Sequence, residues 1–162
     1  MSLQDVALGV ALCEDDEKVR EVGGNNRGPR VARYLADAGI NVAAPWCAAF
    51  VQYCSDVAAN GVGVANPLDE VKLEALVQSY YNWAASVPAR IVGTPVPGDL
   101  ILYDFHGHGW DHIGFVAVPP DANGIVHTVE GNTGDVNQRD GDGVYAKARD
   151  TTKVRCCFVH WT

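Results

Sequence analysis

The sequence predicts an α+β fold in which N-terminal helices pack on an antiparallel β-sheet. Three observations lead there. Apolar residues recur at helical spacing in the first half of the chain, at Leu3, Val6, Ala7 and Val10 and again from Cys47 onward. After Pro95-Val96-Pro97-Gly98-Asp99 the pattern changes to short strand-like runs separated by turn signals. Helices first and strands after is an α+β order, unlike the alternation that builds parallel sheets. With 162 residues there is room for one proper core and not for two, so residues 1–162 are read as a single domain.

Taken in order, the first helix runs from Leu3 toward Glu17. Gly23-Gly24-Asn25-Asn26-Arg27-Gly28-Pro29 is a turn cluster, and Val31 to Ala38 is a short helix ended by Gly39 as a left-handed cap. A third helix opens in Ala44-Pro45-Trp46-Cys47, with Pro45 suited to the first helical position, where its missing N–H is not needed. Cys47, Phe50, Val51, Cys54 and Ala58 then share one face, expected to be buried. A loop near Gly61 and Gly63 leads to a helical stretch from Leu68 to Ala85. Five strands are expected, over Leu100–Phe105, Ile113–Val118, Ile125–Glu130, Val144–Ala148 and Val154–Trp161.

Composition narrows the function classes. Apolar residues make up 48% and charged residues 20%, as in ordinary globular domains. A net charge of −8 disfavours nucleic acid and anionic lipid as partners. No apolar stretch approaches the ~20 residues of a membrane span. The start of the chain lacks a basic region and runs into Glu14-Asp15-Asp16-Glu17, which is not the pattern of a secretory signal. Five cysteines cannot all pair within one molecule, so at least one is a free thiol and folding in a reduced compartment is expected.

The chemistry concentrates in the middle of the chain. In the hairpin formed by the second and third strands, a register with Val118 opposite Gly124 sets His112 opposite Glu130, on one face, with Cβ atoms ~5 Å apart. Asn132 follows two residues on, on the same side. A carboxylate or amide on one imidazole nitrogen fixes the tautomer and leaves the other nitrogen to serve a nucleophile. No G-x-S-x-G motif supplies a serine. Cys47 has the setting instead: the first turn of a helix, where free N–H groups favour a thiolate and can hold an oxyanion.

Four ordered blocks, Pro45-Trp46-Cys47-Ala48-Ala49-Phe50-Val51, Pro97-Gly98-Asp99-Leu100-Ile101, Asp111-His112-Ile113-Gly114-Phe115-Val116 and Val129-Glu130-Gly131-Asn132-Thr133, resemble the CHAP family of cysteine- and histidine-dependent amidohydrolases and peptidases. Gly24 to Pro29 and Tyr34-Leu35 are similar to the upstream part of one branch of it. The resemblance implies a papain-like (NlpC/CHAP-type) fold, with Cys47 as nucleophile, His112 as base, Glu130 as orienting carboxylate and Asn132 as the amide that follows. It implies hydrolysis of an amide bond in bacterial peptidoglycan, as N-acetylmuramoyl-L-alanine amidase or as stem or cross-bridge endopeptidase of the endolysin or autolysin type. No cofactor is needed. The family's calcium site is not carried over, because no matching Asp cluster precedes Cys47. A monomer is expected, made in the bacterial cytoplasm and acting at the wall after release or export.

Competing readings attach to particular residues. His106, His108, Asp111 and His112 resemble the H-x-H-x-D-H ligands of metallo-β-lactamase-type hydrolases, with one residue inserted before Asp111 and few later ligands, so a zinc hydrolase is the lesser alternative. Asp135, Asp140 and Asp142 do not match an EF-hand spacing, and a solvated turn is preferred to a calcium loop. Trp46 and Trp110, beside catalytic candidates, are expected to wall a substrate groove. Arg27 and Arg30 are read as a surface pair at a helix start. Cys54 is read as a packing residue, Cys13 as helix filler, and the vicinal Cys156-Cys157 as core plus surface rather than a disulfide. The rival of another class is a catalytically idle module that binds the wall or joins a phage tail; the intact Cys–His–Glu set argues against it.

Overall fold

The computed structural model describes residues 1–134 and 141–162. Helix α1 spans Leu3–Asp16 and begins with a capping box. The Ser2 hydroxyl accepts from the Asp5 N–H at 3.2 Å, and the Asp5 carboxylate accepts from the Ser2 N–H at 2.8 Å. Helix α2 spans Pro29–Asp37, and Gly39 follows at φ 74°, the left-handed cap expected from its position. Helix α3 spans Cys47–Val62. The stretch expected as one helix from Leu68 to Ala85 is two pieces, a 3-10 turn over Pro67–Glu70 and helix α4 over Val77–Ala85. Each piece buries its own apolar residues, Leu68 in the first and Val77, Tyr80, Trp83 and Ala84 in the second, while Leu73 and Leu76 between them stay exposed.

The strands are β1 (Ile91–Val92), β2 (Leu100–Asp104), β3 (His112–Val118), β4 (Ile125–Thr133), β5 (Gly143–Asp150) and β6 (Arg155–Val159). They form an antiparallel sheet in the order β1-β6-β2-β3-β4-β5. The five expected strands are present with shifted ends. The addition is β1, whose two residues are too short to leave a period in the sequence.

The core lies between the helices and one face of this sheet. Helix α3 is its centre, touching α1, α2, β3 and β4. Every residue from Cys47 to Ser55 is buried, so the first half of the helix is covered all round rather than on the single face that periodicity suggests. Leu100, Leu102, Ile113, Phe115 and Val129 meet the helices, while Ile101, Tyr103, Val116 and Val126 form a smaller cluster on the other face. The Pro97-Gly98-Asp99 block is a structural joint. Buried Asp99 accepts from the Gln4 amide at 2.6 Å and the Val96 N–H at 2.8 Å and lies 2.9 Å from His160 Nδ1, while Gly98 accepts from the Trp161 indole at 2.8 Å. The first helix and the last residues are thereby tied to the start of β2.

The β3–β4 register differs from the one expected. Phe115 pairs with Val129 and Val116 with Thr128, and the pairing shifts again between Val116 and Val118. The displacement at Phe115 is two residues, an even number, so each side chain keeps its expected face. Directly opposite partners become diagonal ones. Where α3 crosses β4, the strand offers a glycine: a Cβ on Gly131 would lie 2.7 Å from Phe50 Cβ and Cγ. Gly131→Ala should therefore lower the unfolding free energy by about 1–3 kcal/mol through overpacking. Urea denaturation of the two proteins measures this directly, and equal midpoints and slopes would contradict the close approach.

Candidate active site

Cys47 is the first residue of α3, and Trp46 is the N-cap. Pro45 thus precedes the cap instead of occupying the first helical position, because Trp46 at φ −125°, ψ 13° is still outside the helix. No side chain caps this end, so the first-turn N–H groups are left for a partner in the cleft. Cys47 is 5% exposed and borders two spaces at the surface.

His112 opens β3, paired with Tyr103 of β2. Its Nε2 lies 2.9 Å from Glu130 Oε2, and the ring borders the same cleft as the Cys47 side chain. With Nε2 committed to Glu130, the nitrogen left for the sulfur is Nδ1. The ring packs beside both the Tyr103 and Phe105 rings, 5.8 and 5.6 Å away between centroids, while those two stack on each other at 4.9 Å. Burial alone would lower the imidazole's proton affinity. The interactions with Cys47 and Glu130 outweigh it and raise the His112 pKa to about 10.

Glu130 is fully buried. It reaches His112 diagonally rather than from directly opposite, and Gly114 makes that path possible: a Cβ at 114 would sit 2.6 Å from Glu130 Cγ. Its Oε1 accepts from Tyr103 Oη at 3.0 Å, Thr128 Oγ1 at 2.7 Å and Arg149 Nε at 3.0 Å, and its Oε2 also accepts from Arg149 Nη2. Burial would raise its pKa. Hydrogen bonds and charge from His112 and Arg149 hold it instead well below the ordinary carboxylate range. Of these contacts, Gly114, Tyr103, Thr128 and Arg149 escape the sequence reading. Gly114 left a signal, a glycine inside a strand pattern, which marks close approach. Arg149 left none, since nothing local tells which strand lies beyond β4.

Asn132 does not continue the face of Glu130. It adopts φ 54°, and the β4–β5 pairing shifts between Glu130 and Thr133, so the regular alternation assumed for it ends there. Among the described residues its side chain bonds neither His112 nor Glu130. It borders the cleft beside Cys47, with Asn25, Asn26, His106 and Arg149, in a space of about 500 Å³.

A second space of about 910 Å³ meets Cys47 from the other side. Its walls are mainly apolar, with Ile40, Ala44, Leu76, Val77 and Trp110. Trp110 is thus where a groove wall was expected, with its ring stacked on Tyr81 at 4.9 Å and under the Arg155 guanidinium at 4.7 Å. Trp46 departs from expectation. It is fully buried, packs on Tyr34 and Phe50, and donates its indole N–H to Glu21 at 2.9 Å, so it is a core residue.

The His106–His112 run does not form a ligand set. Asp111 accepts from the backbone of Phe105 and His106 and lies 2.5 Å from His106 Nδ1, His108 is exposed, and His112 is turned to Cys47 and Glu130. Among the described residues no three His, Cys, Asp or Glu side chains are grouped to hold a metal ion. Asp135 and Asp140 lie outside the described residues; Asp142 accepts from Tyr145 Oη at 2.8 Å. Arg30 pairs with Glu14 and Glu17 at the start of α2. Cys54 is fully buried and its thiol pKa is pushed well up by burial, as for a packing residue. Cys156 packs toward the small cluster and Cys157 toward the main core, on opposite faces of β6. Among the described residues no helix is long and apolar enough to cross a membrane.

No curated protein and no solved structure matches the chain. A profile of the CHAP domain matches residues 39–132, a span that contains Cys47, His112, Glu130 and Asn132. That span is more than half of the sequence, and the chain therefore belongs to the CHAP family, whose domains are amidohydrolases and peptidases acting on peptidoglycan.

Proposed function

We propose that this protein is a cysteine hydrolase that cleaves an amide bond in peptidoglycan peptide, with Cys47 as nucleophile and His112 as its acid and base. The observation that carries this reading is the imidazole held on one nitrogen by a buried carboxylate, on the same cleft as a helix-terminal thiol. The Cys47 thiolate attacks the amide carbonyl carbon, and the first-turn N–H groups of α3 receive the oxyanion, an effect worth about 3–4 kcal/mol per donor. The C–N bond breaks as the His112 imidazolium gives its proton to the leaving nitrogen. Water then adds to the thioester while the imidazole takes its proton, and the thiolate leaves. Glu130 orients the ring and stabilises its charged form. Asn132, at the mouth of the cleft, is assigned to substrate contact.

The two sides of Cys47 give the substrate a direction. The leaving nitrogen must lie within reach of His112, which borders the polar side with Asn132 and Arg149. The acyl half then lies in the apolar side, where Asp37 and Glu74 outnumber Lys72. A lactyl or alanyl acyl group, with its methyl, fits such a wall better than a γ-glutamyl group, whose carboxylate would face like charges. N-acetylmuramoyl-L-alanine amidase and D-alanyl endopeptidase action both satisfy this.

Three measurements test the reading. Cys47→Ala should reduce clearing of purified cell walls by about 10⁴-fold or more, and iodoacetamide should abolish it while EDTA does not. Inhibition by EDTA, or clearing by the alanine variant, would sink thiol chemistry. Because the His112 proton is held to about pH 10, clearing should persist above pH 6.5 and fail only as that proton is lost; an alkaline limb near pH 6.5 would contradict the pairing. Mass spectrometry of released fragments should find lactyl or D-alanyl carboxylates as the new acid ends. New γ-glutamyl ends would overturn the assigned direction.

A further inference from the structure

Arg149 of β5 lies on the far side of Glu130 from His112 and has no place in the chemical steps above. Among the described residues it is the one partner that touches both carboxylate oxygens, Nε to Oε1 at 3.0 Å and Nη2 to Oε2. Tyr103 and Thr128 bond Oε1 alone. A planar fork on a planar carboxylate fixes rotation about the terminal bond, which a single donor cannot do. The guanidinium is itself held. Nη2 donates to Thr133 Oγ1 at 3.2 Å, and the group lies 5.6 and 5.3 Å from the Tyr103 and Phe105 ring centroids. Those are the same two rings that contact His112.

Charge gives the contact a second consequence. One buried carboxylate serves two cations, the imidazolium and the guanidinium. A carboxylate facing His112 alone would grip the imidazolium proton more tightly, yet that proton must leave for the amine in every cycle. The groups around His112 are Cys47 from α3, Tyr103 from β2, Glu130 from β4 and, through Glu130, Arg149 from β5. Asp111, its neighbour in sequence, is turned to His106.

We infer that Arg149 is a positioning residue of this site, whose fork aims Glu130 Oε2 at His112 and whose charge limits how strongly Glu130 holds the imidazolium. This rests on the cysteine-hydrolase reading, so the test includes a measurement that needs no turnover. Imidazole ¹⁵N NMR of the full chain would follow His112 titration in the wild type, Arg149→Met and Arg149→Lys, alongside wall clearing and thermal melting.

In Arg149→Met the His112 titration should move up by about one pH unit, a tenfold change in proton affinity, and clearing should fall roughly 10- to 100-fold. Arg149→Lys keeps the charge and loses the fork. It should restore the titration but not the clearing. A folded Arg149→Met whose titration is unchanged or moves down, or which clears walls like the wild type, overturns the inference. If Arg149→Met does not fold, Arg149→Lys decides: reduced clearing at an unchanged titration supports the fork, and wild-type clearing removes it. Failure of the wild type itself to clear walls would count against the hydrolase reading, while the titrations would still decide whether Arg149 acts on His112.

Discussion

The contact between the buried Glu130 carboxylate and His112 Nε2 is the constraint around which the rest of the site is arranged. An isolated carboxylate with no exposed surface would be strongly disfavoured, and this one is compensated by four side chains, from β2, β3, β5 and its own strand β4, the charged imidazole among them. The same contact settles which imidazole nitrogen is free. With Nε2 taken, Nδ1 is the nitrogen left for the sulfur at the start of α3. On the proposed mechanism the orientation of the base therefore depends on Glu130, which takes no part in bond making or breaking.

That arrangement imposes steric conditions on the sheet. Glu130 runs diagonally across β3, over a position where only a glycine leaves space, and the next residue of β4 is a second glycine against Phe50. One glycine lets the carboxylate reach the imidazole; the other lets α3 settle close to the strand that carries it. Sulfur, imidazole and carboxylate come from three elements, and these two close approaches draw the elements together.

Much of this was legible in the sequence, for physical reasons that also explain the gaps. The side-chain period of two made the shared face of His112 and Glu130 readable even though the register was displaced, since an even shift preserves the face. Asn132 was not readable on the same rule because its left-handed backbone ends the alternation. Trp46 illustrates a different limit. Adjacency to Cys47 places it near the site in sequence, but a non-helical N-cap residue is not bound to the helix period, and its ring turns into the core beside Tyr34. Arg149 and Tyr103 became visible only once strand order was known, because they approach Glu130 across neighbouring strands. The seven-residue His106–His112 run shows the reverse case: a dense set of metal-type residues in sequence is dispersed by the loop, with Asp104 and Asp111 accepting backbone N–H groups.

In the proposed mechanism Glu130 acts through His112 and through nothing else, and a double-mutant cycle on wall-clearing rates tests this most directly. Glu130→Gln should slow the wild-type protein, yet add no further loss once His112→Asn has already removed the imidazole. Losses that simply multiply in the double variant would mean that carboxylate and imidazole work independently, and would contradict that mechanism.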